Sequence, residues 1–256
     1  MRFVALLLGL SMALPVAASQ CAAKSGEFTA ALVELYTSEG CDSCPPADRW
    51  LSGLGRTYPA DRVVPLALHV DYWDYIGWKD PYAKRAFSDR QRKLTQLQKL
   101  AFVYTPQVML QGRDFRGWGS PAFESALGKI NARKARARLE LTIASLKAGG
   151  IALETMAELI DPAEAREAVL YVAAYENRLS SAVTAGENRG RTLAHDHVVL
   201  EWQGPREFPP AGRLSDRRDL PFLPKAVPDH SGVVAFVQNR RTSEVLQALM
   251  LPVCPG

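Results

Sequence analysis

Phe28-Thr-Ala-Ala-Leu-Val-Glu-Leu-Tyr-Thr37, then Ser38-Glu39-Gly40-Cys41-Asp42-Ser43-Cys44-Pro45-Pro46, then Ala47-Asp-Arg-Trp-Leu-Ser-Gly-Leu54 is the stretch that decides the fold. Its first part is a short apolar run between polar flanks, the pattern of a buried strand. Its last part places Trp50, Leu51 and Leu54 on one helical face, and Pro45 and Pro46 are tolerated where a first helical turn has no partner for its N–H groups. A Cys-x-x-Cys turn therefore joins a strand to a helix.

That placement has chemical consequences. Orphan N–H groups and the positive end of the helix dipole stabilise a thiolate at a helix N-terminus, lowering its pKa below the free value of about 8.5. Cys41 is the expected nucleophile, opening a substrate disulfide, and Cys44 the resolving thiol. Asp42 opposes this, because an adjacent carboxylate disfavours the thiolate. A structural zinc needs four ligands, and neither a second Cys-x-x-Cys nor a His-x₃₋₅-His is present. A fixed structural disulfide stays open as an alternative.

Outward from this stretch, Val63 to Val70 reads as a second buried strand and Asp71 to Pro81 as an aromatic, acidic loop. Ala83 to Lys99 reads as a helix, Val103 to Leu110 as a strand and Phe123 to Ala135 as a helix. Beyond residue 136 the period becomes two. Leu139, Leu141 and Ile143 alternate with polar neighbours, as do Val169 to Tyr175 and Val198 to Trp202, and Val233 to Val237 is a further apolar run, which is antiparallel β patterning. The Gly186-Glu-Asn-Arg-Gly190 segment and the Pro/Arg-rich stretch from Pro205 to Pro228 are expected to be loops, the latter a long surface excursion.

The chain of 256 residues is 47% hydrophobic and 23% charged, an ordinary globular composition that excludes collagen-like and charge-dominated disordered chains. A net charge of +4, without a nucleic-acid motif, does not point to a nucleic-acid partner. Residues 1–18 pair Arg2 with the apolar run Phe3 to Leu14 and the small residues Val16-Ala17-Ala18, a cleavable secretory signal too short for a membrane span of about 20 residues. The expected location is secreted, most naturally periplasmic, with no stable membrane insertion after cleavage. In an oxidising compartment Cys21 and Cys254, at the ends of the mature chain, can form a staple or stay as two free thiols.

Four segments carry a family resemblance. Val33 to Asp48, Leu68-His-Val-Asp-Tyr-Trp-Asp-Tyr-Ile-Gly-Trp-Lys-Asp-Pro81, Val103-Tyr-Thr-Pro-Gln107 and Gly186-Glu-Asn-Arg-Gly-Arg-Thr-Leu193 resemble the bacterial secreted thioredoxin-like family catalogued as domain of unknown function 1223. The resemblance implies an α/β fold: a thioredoxin-like domain over residues 27–135 with a helical and aromatic insertion, followed by an antiparallel β-rich region over 136–256. It also implies that Glu34, seven residues before Cys41, is a buried acid serving the resolving thiol, and that Thr105-Pro106 is a cis junction facing the cysteines and the substrate strand.

The insertion is expected beside the cysteines, at the carboxyl ends of the strands. There Asp71, Tyr72 and Trp73, with Tyr75 and Trp78, are candidates for substrate binding, and Asp71, Asp74 and His69 for proton transfer or for binding a metal beside the thiols. His69 reads more naturally as a packed histidine, and His195 and His197 as ordinary β surface. The function expected is thiol-disulfide exchange on protein or small-molecule thiols with a redox partner and no cofactor. The alternatives are Cu(I) binding by Cys41, Cys44 and His69, or a non-catalytic module with a structural disulfide.

Overall fold

The computed structural model describes residues 21–147, 149–221 and 227–254, so the expected signal segment lies outside the described residues. In chain order the elements are β1 (Cys21–Lys24), β2 (Ala31–Thr37), α1 (Pro45–Thr57), β3 (Val63–His69), α2 (Arg85–Leu97), β4 (Gln107–Leu110), β5 (Arg113–Asp114) and α3 (Ala122–Asn131). There follow β6 (Ala137–Lys147), β7 (Gly150–Leu159), β8 (Ala168–Glu176), β9 (Leu179–Ala182), β10 (Thr192–His195), β11 (Val198–Glu207), β12 (Arg213–Pro221), β13 (Ser231–Asn239) and β14 (Val245–Pro252). The strand and helices expected around the two cysteines are present, and the aromatic loop begins as a 3₁₀ turn, Asp71–Ile76.

A mixed sheet of eight strands runs through the molecule in the order β14-β13-β8-β11-β3-β2-β4-β5. β2 and β3 are parallel and β4 is antiparallel to β2; β11 joins β3 through Val198 beside Ala67. The C-terminal strands thus extend the N-terminal sheet by backbone hydrogen bonds, and the sheet crosses the expected boundary at residue 135. The physical reason lies in β8 and β13, which are apolar on both faces, so neither can stand at an exposed surface.

One face of this sheet carries Leu32, Tyr36, Leu66, Leu68, Tyr171 and Phe236 and is covered by Phe87 and Leu94 of α2. On the opposite face, Val33, Leu35 and Ala67 pack against Ala47, Leu51 and Leu54 of α1 and Phe123 and Leu127 of α3. Farther along that same face, Leu170, Val172 and Val237 meet Leu139, Leu141 and Leu153 of a second, four-stranded sheet, β1-β6-β7-β12.

The Pro205–Pro228 stretch departs from expectation, since it contains the end of β11 and all of β12 rather than a loop throughout. β12 pairs with β7 along its whole length yet buries only Leu214 and Leu220. A charged edge strand of this kind hides from hydrophobic patterning because water, not the core, faces most of its side chains. Cys21 and Cys254 are disulfide-bonded across a sequence separation of 233, tying β1 to the chain beyond β14.

Candidate functional site

Cys41 and Cys44 form a disulfide with a Cα–Cα distance of 5.5 Å. Cys44, not Cys41, is the N-cap of α1, and Cys41 stands in the preceding turn with its N–H donating to the Ser38 carbonyl at 3.2 Å. Pro45 and Pro46 lack N–H groups, and the next two N–H groups, of Ala47 and Asp48, both donate to the Cys44 carbonyl. The helix terminus therefore offers Cys41 fewer free donors than the sequence pattern suggested. Its sulfur lies 3.3 Å from Ser43 Oγ.

Both cysteines are fully buried, with relative exposures of 0%, so neither sulfur is reachable from water in this conformation. Two covers produce the burial. From the second half of the chain, the loop after β9 inserts Asn188, itself fully buried, whose Nδ2 donates to the carbonyls of Glu39 (2.8 Å) and Cys41 (2.9 Å). Glu187 accepts the Asp42 N–H at 3.0 Å beside it. From the other side, Trp73 and Ile76 of the 3₁₀ turn lie over Gly40, where an added Cβ would stand 3.2 Å from Trp73 Cβ. Gly186, with φ +73°, lies against the same Ile76, a Cβ added there standing 3.0 Å from Ile76 Cδ1, so the two covers adjoin. Asp42 and Ser43 remain exposed at the rim.

Beneath the turn lies a buried group of histidines and carboxylates. His69 Nδ1 is 2.7 Å from Asp80, and the same Asp80 oxygen accepts the Glu39 N–H at 2.9 Å. Glu39 reaches His195 Nε2 at 3.0 Å and accepts from Trp78 Nε1 at 2.9 Å. His195 Nδ1 stands 4.0 Å from Asp48, and the His69 and His195 rings meet edge to face at 4.9 Å between centroids. Neighbouring charge divides the protons: Asp80 and further carboxylates hold His69 above the usual histidine range against the pull of burial, while His69 holds Asp80 below the carboxylate range. Burial pushes Asp48 up.

The structure does not bring Glu34 to the cysteines. Successive strand residues point to opposite faces, and Glu34 shares the α2 face with Leu32 and Tyr36, whereas α1 packs on the other. Its carboxylate is held by Arg90 Nε (2.5 Å) and Nη2 (3.0 Å). Asp71 also turns away, binding Ser88 at the start of α2, and Tyr72 donates to Gln91 at 3.1 Å. Trp73 does join the site, donating from Nε1 to Thr105 Oγ1 at 2.7 Å, and the Thr105–Pro106 bond is cis. Tyr75 is 84% exposed, so the aromatics form struts and one outlier rather than a single platform. Both histidines are buried, contrary to the surface reading: His195 belongs to the buried group, while His197 lies apart, beyond the end of β10 against Gly55.

Sequence reasoning missed Glu39, Asp48, Asp80 and Asn188 as site residues. All four stand inside motifs that had been singled out, so the signal was present, but only folding shows that they meet. Among the described residues, no three His, Cys, Asp or Glu side chains are disposed to hold a metal ion, and no helix is long and apolar enough to cross a membrane.

Comparison with solved structures gives two likenesses of the whole fold. A crystal structure of an Agrobacterium tumefaciens protein superposes with a TM-score of 0.68 at 24% identity, covering 91% of this chain and 98% of that one. HBP35 of Porphyromonas gingivalis gives 0.67 at 16% identity, covering 90% of this chain and 76% of that one. No curated protein matches. The model of the family described as protein of unknown function DUF1223 matches residues 32–238, and the chain belongs to that family.

Proposed function

We propose that this protein is a thiol-disulfide oxidoreductase of the bacterial envelope, with a thioredoxin-like N-terminal half, in which Cys41 attacks and Cys44 resolves. The observation that carries the reading is the bonded Cys41–Cys44 pair at the start of α1, with the Asn188 loop held over it by two hydrogen bonds to backbone carbonyls. In this reading the Asn188 loop moves aside to admit a substrate, a protein or small-molecule disulfide. Thr105 and Pro106, braced by Trp73, border the entry; Asp71 and Tyr72 support the turn from behind.

The test uses the mature protein with a thiol donor and either insulin or a mixed-disulfide peptide. Turnover is expected, lost in Cys41→Ser, with Cys44→Ser accumulating a trapped adduct. The full burial of both cysteines favours a second reading, a fixed structural disulfide. A strongly negative reduction potential, with no turnover and no adduct, would establish that one instead. The Cu(I) alternative gains no support, since the two sulfurs are bonded to each other and, among the described residues, no three His, Cys, Asp or Glu side chains are disposed to hold a metal ion.

A further inference from the structure

Four buried polar atoms without hydrogen-bond partners come from the same group: Thr37 Oγ1, Asp48 Oδ1, His69 Nε2 and His195 Nδ1. Thr37 and His69 are register partners on β2 and β3, facing α1, and Asp48 and His195 close the group from α1 and β10. Each histidine is anchored through its other nitrogen, His69 by Asp80 and His195 by Glu39. Three carboxyl groups and two imidazoles thus share one buried volume, and among the described residues no Lys or Arg forms an ion pair with Glu39, Asp48 or Asp80. Without such a pair, the group keeps an open acceptor at Asp48 Oδ1 and an open nitrogen on each histidine, capacity that a buried group holds only at a cost.

Asp48 also stands one helical turn beyond Cys44. Its N–H donates to the Cys44 carbonyl at 3.1 Å, so the two buried side chains share one face of α1. Resting on the exchange reading, we propose that Asp48 is the proton acceptor for the Cys44 thiol. His195, delivered by the second half of the chain with Glu39 behind it, is the positioning residue that sets how readily Asp48 takes and releases that proton.

The step balances. After Cys41 thiolate has opened a substrate disulfide RS–SR and expelled one RS⁻, the Cys44 thiol passes its proton to the Asp48 carboxylate. The resulting thiolate attacks Cys41 Sγ, the Cys41–SR bond breaks, and the second RS⁻ leaves to be protonated by water. The substrate gains two electrons, the cysteine pair loses two, and Asp48 holds the proton until water removes it. The titratable groups facing Asp48 are His195 from β10, Glu39 from the turn, His69 from β3, Asp80 ahead of α2 and Cys44 on its own helix.

The experiment follows the reduced protein reacting with 5,5′-dithiobis(2-nitrobenzoate) by stopped flow from pH 6 to 9. The first thionitrobenzoate released reports attack by Cys41, and the second reports resolution by Cys44. Asp48→Asn is expected to slow the second phase at neutral pH at least tenfold more than the first, the scale of a lost general base, with the gap narrowing toward the free thiol pKa of about 8.5. His195→Gln is expected to move the pH midpoint of the second phase. Should a variant fail to fold, the wild-type profile still decides. A second phase that titrates like an ordinary thiol overturns the proposal, as do equal slowing of both phases by Asp48→Asn and a zinc ion retained at one per chain by the purified protein. Absence of the first phase would instead remove the exchange reading itself.

Discussion

The two faces of the central sheet each bury a cluster of charges, and they solve the same physical problem in opposite ways. On the α2 face, Glu34 and Arg90 form a two-point ion pair; Arg90 also donates to Gln238 at 3.2 Å and lies 4.7 Å from the Tyr171 ring centroid and 4.8 Å from that of Trp202. Every charge there has a partner. On the α1 face, His69, His195, Glu39, Asp80 and Asp48 are equally buried but leave one nitrogen on each histidine and one oxygen on Asp48 unpaired. A saturated pair holds a structure, whereas an unsaturated group beside a disulfide keeps capacity for protons. The comparison also explains why the buried acid on β2, the residue the family pattern offered, does not reach the cysteines: it faces α2 and is paired with Arg90.

The largest expected effect lies on the saturated face. Arg90→Met leaves Glu34 buried without its partner and is expected to cost about 3–5 kcal/mol, read by urea unfolding, with the Glu34→Leu/Arg90→Met double variant recovering most of it. If the single variant costs under about 1 kcal/mol, the pair is not the keystone of that face, and the contrast between the faces fails.

A second measurement sharpens the difference between paired and unpaired histidines. His197, two residues from His195, has no carboxylate anchor among its hydrogen bonds, and burial pushes its pKa down to about 4. The folded state therefore holds it neutral, and stability present above the unfolded value of about 6.5 is lost as pH falls from there toward 4. The shift corresponds to up to about 3 kcal/mol. Unfolding curves at pH 7 and pH 4.5 should show His197→Gln losing less stability than wild type over that interval; an identical loss would mean that His197 is solvated in the folded protein.

The smallest expected effect concerns the cover. Asn188→Ala removes two hydrogen bonds to buried carbonyls, a cost of about 1–3 kcal/mol. After reduction, alkylation of Cys41 by iodoacetamide should run several-fold faster in the variant. Unchanged alkylation would show that the Asn188 loop is not what keeps water from the sulfur.

Much of this could be read before folding. The strand, the two-cysteine turn and α1 follow from Phe28 to Leu54 because the apolar spacing and the paired prolines are local properties. The β character of the second half follows from period-two alternation, with β12 lost because an exposed edge leaves too few buried positions to mark it. The site was legible only as a set of separate motifs. Asn188 is 147 residues from Cys41, and His195 is 156 from Glu39, so nothing in either neighbourhood announces the other.

The sequence by itself determined the strand, turn and helix around the cysteines, the β character of the second half, that two residues separate two cysteines at a helix start, and the family the chain resembles. Only the tertiary structure decided which face of β2 each side chain serves, and hence that Glu34 is turned to Arg90 while Asp48 joins the buried histidines on the α1 face; it also decided that the second half closes over the turn. Spacing along a chain records local geometry, whereas the partner of a buried charge is chosen by whichever distant segment the packed core brings within hydrogen-bond reach.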